Sequence, residues 1–227
     1  MSLKLRETTK LHYSKYFYKV VFYNQMTHYF RTEMQKNGKL TWLKETLDQI
    51  NQNYKYGQTY VEAPNRWVDK INIQHYFDAI DLYRLLMKND DYKVRCERNF
   101  LHIYTNDRDF CKDLINKTKN AVEFWEPNIE NISVLTSQEN IVIVNKEPKY
   151  KYKLYLGKNK GIPALASWIN KNPELGRMGE IAKEGCLNQG WVKGFYFFVK
   201  DEKAMLIAQM MVGDNITRVE KLVYNNT

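Results

Sequence analysis

Residues 100–126 (FLHIYTNDRDFCKDLINKTKNAVEFWE) and residues 195–220 (FYFFVKDEKAMLIAQMMVGDNITRVE) present the same features in the same order. Each stretch begins with an aromatic run, continues through an acidic helix start into a helical pattern, and ends after a polar break in a short strand. Because a β-α-β unit of this kind cannot bury its own apolar face, each copy requires further strands. The repeat therefore predicts two half-domains, residues 1–130 and residues 131–227.

Further periodic segments complete each half. In the first half we predict strands over 16–23, 92–98, 100–105 and 122–126, and helices over 40–53, 73–88 and 107–117, the last with Asn106 as its N-cap. In the second half we predict strands over 140–145, 150–156, 195–200 and 216–223, and helices over 163–171, 178–187 and 202–212. Each half is expected to open with a β-hairpin.

Two landmarks relate the halves to each other. The block beginning at Tyr16 corresponds to the block beginning at Tyr150, and Phe100 corresponds to Phe195. The first half carries a longer helical and loop insertion between these landmarks. The order of elements resembles tandem ferredoxin-like, or split βαβ, halves. We therefore predict an α+β protein with two similar ferredoxin-like halves, antiparallel or mixed sheets, and helices packed on one face.

The composition of the chain indicates which class of partner and which cellular compartment to expect. The chain has 35 Lys and Arg against 26 Asp and Glu, a net charge of +9, which favours a polyanionic partner such as RNA or DNA. The alternative is a basic surface that serves solubility only. Three isolated cysteines and the lack of a long apolar stretch favour a cytoplasmic location without membrane contact. Abundant Tyr, Asn and Lys, which have A/T-rich codons, favour a phage or viral source, and then the host cytoplasm, although low-GC bacteria share this bias.

A lysine row on the strand 150–156 is the first candidate binding feature. Lys149, Lys151 and Lys153 alternate with aromatic residues, which include Tyr150 and Tyr152. Alternation places the lysines on one face of a strand, where they suit contacts to phosphate while an exposed tyrosine stacks on a base. The alternative is that these lysines only keep the strand soluble and, at a sheet edge, prevent it from pairing with another chain.

The loop after this strand, Gly157–Gly161, extends the candidate surface. Its glycines allow close approach of a ligand to the backbone, Lys158 and Lys160 add charge, and Pro163 begins a helix directly afterwards. The loop lacks the spacing of a nucleotide-binding P-loop. We therefore predict a contact to the nucleic-acid backbone here, with an ordinary strand-to-helix turn as the alternative.

The aromatic loop 54–70 is a candidate site for a protein partner. Tyr56, Tyr60, Arg66 and Trp67 combine aromatic surface with positive charge, as protein-binding surfaces often do. The alternative is that Trp67 only anchors the loop on the core.

Signals for catalysis are weak. The four histidines and three cysteines show no metal-ligand spacing, so we expect neither a metal nor another cofactor. A metal-dependent nuclease is a distant alternative that would need five carboxylates to converge, those of Glu97, Asp107, Asp109, Glu123 and Glu126. The sequence thus favours a non-enzymatic accessory protein that binds nucleic acid without strong sequence specificity. The main alternative is a protein-interaction or virion-assembly component.

Overall fold

The structure, a computed structural model, describes residues 2–31, 40–62, 70–157 and 160–225. Three residues named above, Arg66, Trp67 and Lys158, lie outside these ranges. The chain divides into two compact units, residues 1–128 and residues 129–227.

The first unit contains a mixed five-stranded sheet with the strand order β1-β7-β2-β6-β5. Its described elements are β1 (Lys4–Glu7), β2 (Tyr18–Tyr23), α1 (Thr41–Asn53), β3 (Tyr60–Glu62), β4 (Lys70–Asn72), α2 (Ile73–Leu86), β5 (Tyr92–Glu97), β6 (Phe100–Thr105), α3 (Arg108–Lys117) and β7 (Ala121–Glu126). Strands β3 and β4 form a separate two-stranded ribbon.

One face of the first sheet carries the core of its unit. Val20 and Phe22 on β2 lie opposite Ile103 and Leu101 on β6, and all four side chains are buried. Apolar side chains of α1, α2 and α3 pack against them in one cluster. The three helices therefore cover this face, because alternate residues of a strand point to opposite sides of the sheet.

The second unit contains another mixed five-stranded sheet, with the order β10-β11-β9-β12-β8. Its described elements are α4 (Ile132–Ser137), β8 (Ile141–Val144), β9 (Tyr152–Leu156), α5 (Pro163–Lys171), β10 (Gly176–Met178), α6 (Glu180–Leu187), β11 (Tyr196–Val199), α7 (Glu202–Val212) and β12 (Ile216–Tyr224). Leu154, Leu156, Phe197 and Val199 are buried against α5, α6 and α7.

The two sheets share their strand order and their pairing directions. In each, the last strand lies between two earlier strands, antiparallel to one (β2 or β9) and parallel to the other (β1 or β8). Each last strand also skips one residue at the equivalent place, Val122 opposite β2 and Thr217 opposite β9. This register makes Lys19 equivalent to Lys153, as the match of the blocks at Tyr16 and Tyr150 predicts.

Three local predictions are wrong. The expected opening hairpins do not form, because β7 lies between β1 and β2 and β12 lies between β8 and β9. The N-cap of α3 is Asp107, whose Oδ1 accepts a hydrogen bond from the Phe110 amide, while Asn106 Oδ1 accepts from the Phe17 amide. The register makes Leu101, and not Phe100, equivalent to Phe195.

The α+β class and the mixed sheets with helices are confirmed. Within the described ranges, no helix has the length and apolar character needed to cross a membrane.

Candidate nucleic-acid interface

The face of the second sheet that points away from the helices carries aromatic and basic side chains. Tyr155 on β9 pairs with Tyr196 on β11, and Lys153 pairs with Phe198. These residues alternate with the buried positions of the same strands, so they share the outer side of the sheet. Arg218 on β12 lies opposite Tyr155 and joins them. We call these five residues the aromatic face.

The three rings of the aromatic face lie side by side around one ammonium group. The ring centroids of Tyr155 and Tyr196 are 5.8 Å apart, and those of Tyr196 and Phe198 are 5.6 Å apart. The Nζ atom of Lys153 lies 3.9 Å from the Tyr196 centroid, 4.8 Å from that of Tyr155 and 5.9 Å from that of Phe198. The lysine is therefore positioned by cation–π attraction at the centre of the cluster.

A buried carboxylate fixes the β12 side of the aromatic face. Glu220 is only 4% exposed, accepts a hydrogen bond from the Tyr155 hydroxyl at 2.8 Å and pairs with Arg218 at 3.0 Å. The Arg218 guanidinium carbon lies 4.1 Å from the Tyr155 ring centroid. Glu220 thus holds both the ring and the guanidinium in place, because each is bonded to the same carboxylate.

The aromatic face is accessible to a ligand. Tyr196 is 43% exposed and Arg218 is exposed, while Lys153, Tyr155 and Phe198 are half-buried by their neighbours. The exposed ring of Tyr196 and the half-buried rings beside it offer flat apolar surfaces, and Lys153 offers charge for an anion while Arg218 is paired with Glu220. The arrangement suits a ligand that combines flat rings with negative groups.

The other predicted residues of the lysine row occupy three different environments. Lys149 and Lys151 are exposed, just before β9 begins. Tyr150 is half-buried and donates a hydrogen bond to the carbonyl oxygen of Pro173 at 2.7 Å. Tyr152 lies in the core and donates to Glu202 at 2.9 Å. Burial, assisted by this hydrogen bond, raises the pKa of Tyr152. Tyr152 therefore has no free face on which a base could stack.

The glycines of the loop after β9 serve packing. A Cβ atom on Gly157 would lie 2.9 Å from Asn215 Oδ1, and one on Gly161 would overlap the backbone of Gly185 and Cys186. The Gly161 amide donates to the Gly190 carbonyl oxygen at 2.7 Å. The glycines are thus explained by contacts within the protein. Lys160 remains exposed at the end of this loop.

The aromatic loop is described only in part. Tyr56 is 99% exposed and Tyr60 is also exposed, so both are free to meet a partner. Tyr60 lines an open cleft of about 630 Å³ together with Ile50, Tyr54 and Lys70. Because Trp67 lies outside the described residues, its anchoring role stays a prediction.

The five carboxylates considered for a nuclease are each engaged separately. Asp107 caps α3, Asp109 pairs with Lys112, Glu126 pairs with Arg108, Glu97 pairs with Arg95, and Glu123 accepts from the Trp125 indole. Within the described residues, no three His, Cys, Asp or Glu side chains come together in a way that would hold a metal ion.

Sequence reasoning missed four residues of the aromatic face: Tyr155, Tyr196, Phe198 and Arg218. The alternation of Lys153 and Tyr155 with buried leucines was visible in the sequence. The pairing of this strand with Tyr196 and Phe198 was not visible there, because 39 residues (157–195) separate the end of β9 from the start of β11.

Comparison with known proteins gives no match to this chain, whether by family model, by curated sequence or by solved structure.

Proposed function

We propose that the protein is an accessory factor that binds single-stranded nucleic acid on the aromatic face, without strong sequence specificity. The observation that carries this proposal is the convergence of three rings and Lys153 on the two adjacent strands β9 and β11 of an open sheet. Bases stack on such rings whatever their identity, because every base has a π face. The phage or viral source stays a prediction from residue usage.

The strand order supports the same conclusion by analogy. The four strands β12-β9-β11-β10 are each antiparallel to their neighbours, and this order supports our proposal that the unit is a ferredoxin-like, or split βαβ, half. Sheet modules that bind single-stranded RNA stack two or three bases on aromatic side chains of a four-stranded sheet. We infer that β9 and β11 serve in this way here.

Basic residues at the rim would hold the phosphates. Arg218 lies within the aromatic face, and Lys149, Lys151 and Lys160 are exposed near the two ends of β9. Contacts of this kind contribute affinity without reading sequence. Replacement of Lys151 and Lys160 by Glu should therefore weaken binding and reduce its dependence on salt.

The test is fluorescence anisotropy with labelled single-stranded RNA, single-stranded DNA and duplex DNA across a salt series. We expect a single strand to bind more tightly than the duplex. The double variant Tyr196→Ala, Phe198→Ala should bind at least about tenfold more weakly, since stacking contributes about 1–3 kcal/mol per base. Tyr56→Ala is the matched control, because it removes an exposed tyrosine of the first unit.

Two results would overturn the proposal. One is a lack of binding at low salt, where attraction between the chain and phosphates is strongest. The other is equal affinity of the native chain and the Tyr196→Ala, Phe198→Ala variant, which would remove the aromatic face as the site.

A protein partner is the second candidate function, as an interaction or virion-assembly component. It is favoured by the nearly complete exposure of Tyr56 and by the cleft beside Tyr60. Under this alternative, Tyr56→Ala weakens assembly while the Lys151→Glu, Lys160→Glu variant leaves it unchanged.

A further inference from the structure

Residues 8–16, which we call the strap, lie across the outer face of the first sheet. The strap joins β1 to β2 and crosses β7, the strand between them. The Thr8 amide donates to the Glu126 carbonyl oxygen at 2.8 Å, where the strap leaves β1. His12 and Tyr16 are linked by a backbone bridge near its end.

Two rings of the strap pack on aromatic residues of the sheet. The His12 centroid lies 5.3 Å from that of Tyr104 and 6.1 Å from that of Trp125. The Tyr13 centroid lies 4.9 Å from that of Tyr104, at an interplanar angle of 88°. Tyr104 is consequently only 6% exposed, although it lies on the side of the sheet that faces away from the helices.

The surface beneath the strap is equivalent to the aromatic face of the second unit. By register, Lys19 is equivalent to Lys153, and Tyr104 is equivalent to Phe198. Lys19 Nζ lies 3.8 Å from the centroid of Trp125, which pairs with Lys19 from β7. Trp125 is the register equivalent of Glu220, while His102 is the equivalent of Tyr196, so the two faces hold their rings at different positions around the equivalent lysines. The first sheet therefore carries its own cluster of rings and cations.

Further basic residues of β5 border this surface. Lys93 lies opposite Tyr104 and Arg95 lies opposite His102, on the same side of the sheet. Lys93 Nζ is 3.9 Å from the Tyr13 centroid, so it contacts the strap itself. Removal of the strap would leave Lys19, Lys93 and Arg95 beside Tyr104 and Trp125. Glu97, which pairs with Arg95, and Glu123, which accepts from the Trp125 indole, lie on the same side.

The length of the connection accounts for the difference between the two faces. The strap belongs to a connection of ten residues, 8–17, whereas the equivalent connection between β8 and β9 has seven, 145–151. Among the ring contacts of the described residues, those of the shorter connection involve only Lys149 and Tyr150, and none reaches the aromatic face.

The strap is held at a cost in free energy. Tyr13 and Ser14 both have left-handed backbone conformations, with φ of 55° and 56°, which are unfavourable for residues other than glycine. Thr8 Oγ1 and His12 Nε2 are buried without a hydrogen-bond partner in the described structure. Burial of such groups is unfavourable. These costs lower the free energy needed to open the strap relative to that of the sheet below it.

We propose that the outer face of the first sheet is a second binding site for single-stranded nucleic acid, kept closed by the strap, whose His12 and Tyr13 rings occupy the stacking positions. This inference rests on the proposed function of the equivalent aromatic face. A strand that binds only the open form shifts the strap toward opening by mass action.

The test is a rescue of binding in the full chain. The starting variant is Tyr196→Ala, Phe198→Ala, in which the aromatic face is disabled. The changes His12→Ala and Tyr13→Ala are then added to remove both rings of the strap. We expect a short labelled single strand to bind at least about tenfold more tightly to the fourfold variant than to the starting variant.

A further change identifies the site of the regained binding. Trp125→Ala in the fourfold variant removes a ring beneath the strap and should abolish the gain. If the variant with Trp125→Ala keeps the regained binding, the gain belongs to a different surface and the inference is overturned. A fourfold variant that melts like the native chain and binds no better than the starting variant also overturns it.

Failure of the two proposals can be told apart. If the native chain binds no single strand, the proposed function itself is wrong. If the native chain binds and loses binding through Tyr196→Ala, Phe198→Ala, but no rescue follows, only the second site is wrong.

Hydrogen exchange of the native chain provides a measurement that needs no variant. The Thr8 amide donates to the Glu126 carbonyl oxygen at 2.8 Å and reports strap opening, because this hydrogen bond joins the strap to β7. We expect it to exchange faster than the amides of β2 below it. Equal protection of both would show that the strap opens only with the whole unit and would overturn the inference.

Discussion

Lys153 shows how one residue organises the aromatic face. Its ammonium lies 3.9 to 5.9 Å from three ring centroids, so both the charge and the rings are in place before a ligand arrives. Preorganisation of this kind reduces the conformational entropy that binding costs. Glu220, on the same side of the sheet, has the same effect on Tyr155 and Arg218.

At the same scale, His12 predicts a dependence of stability on pH. Burial first, and then the charges of Lys19, Lys10 and His102, lower the pKa of His12 from 6.5 to about 4. Between these values the unfolded chain binds more protons than the folded one, so the free energy of unfolding falls as the pH falls from about 6.5 to 4. After allowance for solvent screening, this loss amounts to about 1 to 2 kcal/mol.

The variant His12→Phe isolates this effect, because it keeps a ring in the strap and removes the titrating group. We expect its free energy of unfolding, measured with urea at several pH values, to fall less than that of the native chain over this range. Parallel curves for the two proteins would contradict the assignment to His12.

At the scale of elements, the two units share a helix cap and a strand irregularity at equivalent places. Asp107 caps α3 and Asp201 caps α7. In each case the carboxylate accepts a hydrogen bond of 2.9 Å from the backbone amide three residues later in the chain. The last strands skip Val122 and Thr217 at equivalent places. The agreement of a cap and a bulge in two units extends the similarity beyond the order of elements.

The packing of Gly161 against α6 gives the prediction at this scale. A methyl group there would overlap backbone atoms, which cannot move aside as the end of a side chain can. We expect Gly161→Ala to lower the free energy of unfolding of the second unit by about 3 kcal/mol.

Gly179→Ala is the matched control for this change. A Cβ on Gly179 would have no atom within 4 Å, and Gly179 is the N-cap of α6 with a negative φ of −69°. Thermal denaturation should therefore leave Gly179→Ala close to the native chain. Equal melting temperatures for all three proteins would contradict the packing role of Gly161.

At the scale of the whole molecule, the two units share one strand order and differ on the outer face of the sheet. Each unit has a covered face with its own helices and core. On the other face the first unit carries the strap, while the second presents the aromatic face to solvent. The difference lies in the connection before β2 or β9.

The division of the chain predicts that residues 129–227 fold and bind by themselves. This unit has its own core and sheet. We expect the isolated fragment to give one cooperative melting transition and to bind a single strand with an affinity within about threefold of the full chain, since each unit of this size supports its own core. A fragment that is unfolded by circular dichroism would contradict the prediction of half-domains.

Much of the fold could be predicted from local patterns. The helices α2, α3, α5 and α7 lie where helical spacing places them, and the match between Tyr16 and Tyr150 agrees with the register of the two sheets. These features depend on residues close together in the chain. The N-cap of α3 was misplaced by one residue because both Asn106 and Asp107 have side chains suited to capping.

Lys153 and the aromatic strand that begins near Phe195 are evident from the sequence by itself, and so is the excess of positive charge. Only the tertiary structure brings Tyr155, Tyr196, Phe198 and Arg218 together around that lysine. It also decides that Tyr152 is buried and that the strap closes the first face. The physical reason is that periodicity sets which side of a strand a residue occupies, whereas strand order and register, which depend on the packing of distant segments, set its neighbours.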